Sequence, residues 1–193
     1  MKPLVYIILL TVLSHAGFVG SRITVSLTAI DAQASTLTVG VLMALYAALP
    51  MLIGVHAGRL VDRVGVYRPL LITSVALTAG ILLPFAWPGL PALCIASVVI
   101  GTSFMLQHIA LNHLAGFIGD PARRAINFSW LALGYATSGF IGPLLAGFTI
   151  DLLGHRGAFL ALAVPPAVAA ALLFWRRPPA PQPAAPKPGD ASH

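Results

Sequence analysis

Residues 58–68 read Gly-Arg-Leu-Val-Asp-Arg-Val-Gly-Val-Tyr-Arg and lie between two apolar stretches of the chain. Within them, Gly58, Asp62 and Gly65 form a Gly-x-x-x-Asp-x-x-Gly skeleton. The same skeleton returns 89 residues later, at Gly147, Asp151 and Gly154. One copy follows the second apolar stretch and the other follows the fifth. If each stretch crosses the membrane once, three crossings separate the two copies, so they lie on opposite sides of the membrane. The spacing therefore predicts two copies of one unit in opposite orientations, that is, inverted repeats.

The composition indicates that lipid is the solvent for most of the chain. Apolar residues make up 58% of the 193 residues, charged residues make up 8%, and the mean hydropathy is +0.92. A soluble domain of this length would have more apolar surface than one core can hide. Six apolar runs are each near the roughly 20 residues that cross about 30 Å of hydrocarbon. These runs are residues 4–27, 38–58, 69–87, 90–114, 126–150 and 158–175.

The apolar runs are predicted to be helices. Only helices and closed barrels satisfy every backbone group in lipid, and the sequence lacks strands with a period of two. We therefore predict an all-α membrane protein with six transmembrane helices in residues 1–177. Residues 178–193 differ in character, because 6 prolines fall there among Ala, Gln, Lys and Asp. That composition favours an extended conformation and predicts a disordered cytoplasmic linker or tail.

The basic residues predict the orientation of the helices. Nine of the eleven lie before the first run or after the second, fourth or sixth, and so on one face of the membrane: Lys2, Arg59, Arg63, Arg68, Arg123, Arg124, Arg176, Arg177 and Lys187. Arg22 and Arg156 fall toward the other face. The positive-inside rule then places both termini in the cytoplasm. The expected location is the inner membrane. Because topology explains the net charge of +6, no nucleic-acid partner is expected.

The beginning of the chain has a second interpretation. Lys2, the apolar residues 4–13 and Ser14-His15-Ala16 are similar to a secretory signal with a small-residue cleavage site. The apolar character continues beyond Ala16, and five further runs follow. These features favour an uncleaved first helix.

The stretch after the second run resembles a known family signature. It is similar to the loop between helices two and three of the major facilitator superfamily, although Val66 and Tyr67 stand where basic residues are usual. The residues that carry the resemblance are Gly58, Leu60, Asp62, Arg63, Gly65 and Arg68. The resemblance implies the amino-terminal six-helix half of a transporter that works by alternating access, with this loop as a conformational latch. Because glycine has no side chain, Gly58 is expected to let a helix end approach a neighbouring helix closely.

The fifth run carries a second resemblance. Gly139, Gly142, Pro143 and Gly147 look like the Gly-Pro motif of the fifth helix in drug and metabolite exporters of the same superfamily. The resemblance implies efflux of a drug-like solute or metabolite. Generic packing of small residues between membrane helices is the alternative explanation.

Proton coupling receives little support from the sequence. The chain contains no glutamate, its five aspartates fall in loops, at helix ends or in the tail, and the fourth run lacks the arginine found in many proton-coupled members. A coupling group is therefore expected on a second half or on a histidine.

Polar residues inside the apolar runs are the best indicators of a solute path, because they prefer a watery cavity to lipid. Candidates for that path are His15, Arg22, Tyr46, Gln107, His108 and Asn112. Arg22 at mid-membrane would cost roughly 2.5–3.5 kcal/mol, so either solute contact or interfacial anchoring would explain it. Gln107, His108 and Asn112 either line a cavity or form hydrogen bonds between helices.

Other classes fit the sequence less well. Ser103 and His108 superficially suggest an intramembrane protease, but they lie five apart on one helix and do not face each other. No enzyme activity, metal or cofactor is expected, because metal-ligand spacings and a phosphate-binding loop are missing. A non-transporting six-helix scaffold is the competing class. The expected partners are the lipid bilayer, a small-molecule solute, and either a second six-helix half or another copy of the chain.

Overall fold

The computed structural model describes residues 3–118 and 121–178, with the backbone alone at residues 55–57, 60, 62 and 121. The predicted tail lies outside the described residues from residue 179 onward. The described elements are all helical, which confirms the predicted fold class at that level. Five helices are long and apolar enough to cross a membrane: α1 (Pro3–Asp31), α2 (Thr36–Val64), α3 (Tyr67–Ala86), α4 (Leu90–Phe117) and α5 (Arg124–Trp175).

The end of α2 differs from the sequence-based interpretation. The apolar run stops at Gly58, but the helix continues to Val64 and ends where Gly65 adopts φ 76° and ψ 171°. A positive φ carries no steric penalty at glycine, so Gly65 is suited to a helix end. A Cβ built on Gly58 would meet no described heavy atom within 4 Å. The close helix approach expected at Gly58 is therefore wrong for this conformation.

Helix α5 contains one break. Gly154 has φ 72° and ψ 171°, which is nearly the conformation of Gly65 and lies outside the helical region. At 1.5 Å per residue, the 52 residues of α5 would span about 78 Å as a straight rod, more than twice the hydrocarbon thickness. Gly154 divides α5 into a first segment, residues 124–153, and a second segment, residues 155–175.

The two segments of α5 run in opposite directions along α1. For the first segment, a Cβ on Gly134 would lie 3.3 Å from the Ile8 side chain, and one on Gly142 would lie 2.8 Å from the Ala16 carbonyl. The first segment of α5 therefore runs parallel to α1. For the second segment, Gly17 contacts Pro166, and the Tyr6 hydroxyl donates to the Leu172 carbonyl at 3.0 Å. The second segment of α5 therefore runs antiparallel to α1, and the chain reverses its direction at Gly154.

Two apolar cores divide the bundle along its length. The first lies where the start of α1 meets the end of α5, because the Tyr6 hydroxyl oxygen also lies 2.7 Å from the Arg176 carbonyl oxygen. We call this side the terminal end and the opposite side the far end. The core of the terminal end contains Val61, Leu70, Leu111, Leu131 and Leu173 among others. The core of the far end contains Val25, Leu42, Leu77, Leu93 and Phe159 among others.

Helix α2 is the least covered element. Only 11% of the most apolar window of Thr36–Gly54 is buried, compared with 50% for α1 and for α4. Met51 is 84% exposed, and Leu37 and Leu52 are exposed as well. An apolar face of this kind is stable only against lipid or another protein surface.

Candidate functional site

A buried hydrogen-bonded group lies between the two cores. The Gln107 side chain is 0% exposed, and its Nε2 atom lies 2.8 Å from both the Ser14 and the Ser74 hydroxyl oxygens. These contacts connect α4 with α1 and α3. The Gln107 Oε1 atom is buried and has no hydrogen-bond partner among the described residues. Gln107 therefore serves packing between helices in this conformation, the second of the two roles that its sequence position allowed.

Aromatic and imidazole rings from four elements meet beside this group. We call them the ring cluster: His15, Phe18, Tyr46, Phe104, His108 and Tyr135. At its centre, Phe18 and Phe104 stack with their ring centroids 4.0 Å apart and their planes 15° from parallel. His108 is exposed and Tyr46 is only 5% exposed, so the cluster runs from the surface into the bundle.

His15 has a defined position in the ring cluster. Its ring centroid lies 5.2 Å from that of Phe104 and 5.1 Å from that of Tyr135. Its Nδ1 atom lies 2.7 Å from the Ser138 hydroxyl oxygen. The same hydroxyl also lies 2.8 Å from the Gly134 carbonyl oxygen of its own helix. The contact with Ser138 therefore joins the His15 ring to the first segment of α5.

Arg22 lies over the far-end side of the ring cluster. Its guanidinium carbon is 5.9 Å from the Phe18 ring centroid and 5.6 Å from the Tyr46 centroid, both within cation–π range. Among the described residues, no carboxylate lies within ion-pair distance of this exposed guanidinium. Beside it is a pocket of about 260 Å³ lined by Val19, Arg22, Ile23, Ser26 and Met43.

A second pocket lies on the terminal-end side of the ring cluster. It has a volume of about 450 Å³ and lies between α2 and α4, with Gly58, Val61, His108, Ile109, Asn112 and His113 as its lining. The Asn112 amide donates to the backbone carbonyl of His108 at 2.8 Å, so its hydrogen bond stays within α4. His108 connects this pocket with the ring cluster, because its ring lies 4.9 Å from that of Tyr135.

The residues of the helix-five motif have different surroundings. Gly142 allows the closest approach to α1, where a Cβ would lie 2.8 Å from the Ala16 carbonyl oxygen and 3.1 Å from the Gly20 nitrogen. A Cβ on Gly139 would reach only the His15 ring, at 4.0 Å, and one on Gly147 would meet nothing described within 4 Å. Pro143 is half-buried. Within the motif, the close contact with α1 therefore lies at Gly142.

The residues of the predicted latch are separated by the helix end. Leu60 and Arg63 belong to the last turns of α2, Gly65 terminates the helix, and Arg68 lies in the first turn of α3. Arg63 and Arg68 are exposed. The side chains of Leu60 and Asp62 lie outside the described part of the chain. The predicted latch is thus a helix end followed by a short turn.

Phe18, Phe104 and Ser138 lie in this region, and sequence reasoning missed them. A phenylalanine inside an apolar run has the same hydropathy whether it faces lipid or a cavity, so the pattern contained no signal for these rings. Ser138 is a small residue among other small residues of the fifth run. Within residues 3–118 and 121–178, no three His, Cys, Asp or Glu side chains come together as a metal site would require.

Five apolar helices of membrane length among the described residues define a multi-pass membrane protein. The family model of the Major Facilitator Superfamily matches residues 7–192, and the chain belongs to this superfamily. It is therefore a transporter of the major facilitator type. No curated protein sequence matches the chain.

Proposed function

We propose that the chain forms one six-crossing bundle of an alternating-access secondary transporter and that a small organic solute moves along its ring cluster. The observation that carries this proposal is that polar groups and aromatic rings continue along one face of the bundle, from Arg22 to Asn112. Arg22 and its pocket lie on the far-end side of the ring cluster, and the pocket beside His108 and Asn112 lies on the terminal-end side. Tyr46 and His15 lie between them. Such a line of polar groups is suited to a solute crossing a membrane.

The six crossings follow from the reversal within α5. Its two segments each have enough residues to cross the hydrocarbon, and they run in opposite directions. The nearly equal backbone angles of Gly65 and Gly154 support the inverted repeats, because these glycines occupy the same place in the two copies of the skeleton. We therefore propose two antiparallel three-helix units.

The orientation follows from the charges at the two ends. The arginines in the last turns of α2, in the first turn of α3, at the start of α5 and after its end lie at the terminal end, and the positive-inside rule assigns that end to the cytoplasm. We propose an inner-membrane location with both termini cytoplasmic. A fluorescent protein fused after residue 178 should fold and fluoresce, whereas alkaline phosphatase inserted after residue 33 should be active. The reverse pattern would exclude this orientation.

The path needs a second wall. Alternating access requires two bundles that rock about a site between them, so we propose that a second six-helix half or another copy of this chain faces the ring cluster. The apolar face of α2 would contact that partner. The latch around Asp62, between Gly58 and Arg68, would stabilise one of the two states by hydrogen bonds and ion pairs across the bundles. Efflux is the proposed direction, on the resemblance of the helix-five motif.

The test is transport by the protein in proteoliposomes. Preloaded vesicles should take up a panel of labelled organic solutes by counterflow, and uptake of at least one solute should be saturable. Asp62→Asn should lower the rate at least tenfold without changing the melting temperature, and Asp31→Asn, at the end of α1, should leave the rate unchanged. If no solute in the panel is taken up and the chain instead stabilises another membrane protein, the scaffold interpretation is correct.

A further inference from the structure

Arg22 lies deep in the membrane-spanning part of α1. The helix extends from Pro3 to Asp31, so its midpoint is residue 17. At 1.5 Å per residue, the Cα atom of Arg22 is about 8 Å from that midpoint, well inside a hydrocarbon layer about 30 Å thick. An arginine used only as an interfacial anchor would lie closer to the helix end.

The guanidinium group lies on the side of Arg22 that is nearer the midpoint of α1. Phe18, under the guanidinium at 5.9 Å, is one helical turn nearer the midpoint, and Tyr46, at 5.6 Å, is almost fully buried. A side chain that snorkelled to the interface would extend toward the far end instead. The position over two rings therefore presents the charge to the path and favours solute contact over anchoring.

This charge has no fixed counter-ion in the described part of the chain. The sequence contains no glutamate. The acidic side chain on α1, Asp31, lies about 14 Å further along the helix and faces His155, with 4.0 Å between Oδ1 and Nε2. His15 and His108 add groups that are neutral or positive, never negative. This side of the path thus attracts anions and disfavours organic cations.

We infer that Arg22, Phe18 and Tyr46 form an anion-binding subsite and that the solute is an organic anion with a planar apolar group. The inference rests on the proposed transport function and specifies its substrate class. Arg22 pairs with a carboxylate, sulfonate or phosphate, which the planar guanidinium contacts with two parallel hydrogen bonds. The stacked Phe18 and Phe104 rings extend from it toward His15 and accept the planar group of the solute by stacking.

The dimensions of the subsite agree with this class. The pocket beside Arg22 has a volume of about 260 Å³, whereas sites for whole drug-sized ligands have about 300–1,000 Å³. It therefore accommodates an anionic head group and a few further atoms. The rest of the solute would lie along the ring cluster, against the second bundle. The head group of an anionic lipid has the same chemistry, but lipid phosphates lie at the interface and the guanidinium points away from it.

Binding of three ring compounds that differ in charge tests the inference. The chain is placed in nanodiscs of phosphatidylcholine, and binding of benzoate, benzamide and benzylammonium is measured by equilibrium dialysis. Benzoate should bind at least tenfold more tightly than benzamide, and benzylammonium should bind most weakly. Arg22→Gln should weaken benzoate binding by tenfold or more without affecting benzamide, and Arg22→Lys should retain part of the affinity.

Arg156→Gln provides the matched control. Arg156 is also an exposed arginine over an aromatic ring, at 5.2 Å from Phe85, but it donates to the Phe85 carbonyl and lies outside the ring cluster. Its substitution should leave benzoate binding unchanged. Failure of benzoate to bind, equal binding of benzoate and benzamide, or equal losses in the two glutamine variants would overturn the inference.

Two further arms separate the possible failures. Nanodiscs that contain phosphatidylglycerol should bind benzoate equally well, and loss of binding there would assign the subsite to a lipid head group. Transport of a neutral or cationic solute by the Arg22→Gln variant at the normal rate would leave the proposed function in place and remove the anion class. Arg22-dependent benzoate binding without transport of any solute would leave the subsite in place and contradict the proposed function.

Discussion

Gln107 and Arg22 are both polar side chains inside the membrane-spanning part of the chain, and they lie in contrasting surroundings. Gln107 is fully buried between α1, α3 and α4, where it contacts two serine hydroxyls. Arg22 is exposed, lies over two rings and has no carboxylate partner in the described structure. The difference separates a polar side chain whose partners lie in the protein from one that, on the proposed function, is left to bind a solute.

The contrast divides this bundle into a packing side and a path side. The packing side consists of Gln107, the glycines at helix crossings and the core residues outside the ring cluster, whose Tyr46 also belongs to the far-end core. The path side consists of the ring cluster, Arg22 and the two pockets beside it. Substitutions on the packing side should change stability first, and substitutions on the path side should change ligand binding first.

The largest effect is expected at Gly101. A Cβ at this position would overlap the backbone carbonyl of Tyr46, so Gly101→Ala must push α2 away from α4. We expect a loss of about 1–3 kcal/mol in the free energy of unfolding, measured by denaturant titration in detergent. Benzoate binding should fall as well, because Tyr46 moves away from Arg22.

Gly147→Ala is the control for that substitution. A Cβ on Gly147 meets no described heavy atom within 4 Å, so this variant should be as stable as the parent or gain up to about 1 kcal/mol from helix propensity. Equal stability of the two variants would show that the contact between α2 and α4 is looser than the structure describes.

The second effect is a difference in stability between variants of two neighbouring residues on α4, Gln107 and His108. Gln107→Ala removes the donor to two serine hydroxyls and should lower the free energy of unfolding by about 1–2 kcal/mol. His108→Ala removes an exposed side chain and should change it by less than about 0.5 kcal/mol. Benzoate binding should be weakened more by His108→Ala than by Gln107→Ala. A larger loss of binding for Gln107→Ala would break the distinction between the packing side and the path side.

The smallest effect is expected at Ser138. Ser138→Ala removes the hydrogen-bond partner of the His15 Nδ1 atom and should cost about 1 kcal/mol in unfolding free energy, since one buried hydrogen bond is lost. The nitrogen resonances of the His15 side chain should shift, because Nδ1 loses that partner. Ser129→Ala is the control, because Ser129 is exposed and donates to the Ala125 carbonyl of its own helix. An unchanged His15 spectrum would mean that Ser138 does not orient the ring.

Hydropathy predicted the all-helical fold because lipid requires long apolar helices wherever the chain crosses. It did not predict where helices end. The apolar run before α3 stops at Gly58, but a helix that has left the hydrocarbon tolerates charged residues, so α2 continues past Arg59 and Arg63 to Val64. The spacing of the glycines indicated a special role for Gly65 and Gly154, and both have positive φ angles.

The candidate site was partly predictable for a related reason. Arg22 and His15 contrast with their apolar neighbours, so sequence alone placed them among the candidates for a path. Phe18 and Phe104 have no such contrast and were missed. The roles of Gln107 and Asn112 depend on which neighbouring element each side chain faces, and hydropathy contains no information about the rotation of a helix within a bundle.

The central claim is that the ring cluster faces a water-filled path. Accessibility of Phe104→Cys to a charged, membrane-impermeant thiosulfonate tests it most directly, in a Cys94→Ala background that removes the native thiol. Ser74→Cys, on the buried side, and Phe148→Cys, on the exposed apolar side, are the references. We expect the cysteine at 104 to react at least tenfold faster than both references, because the reagent needs a hydrated thiolate. A cysteine at 104 as unreactive as the one at 148 would contradict the claim.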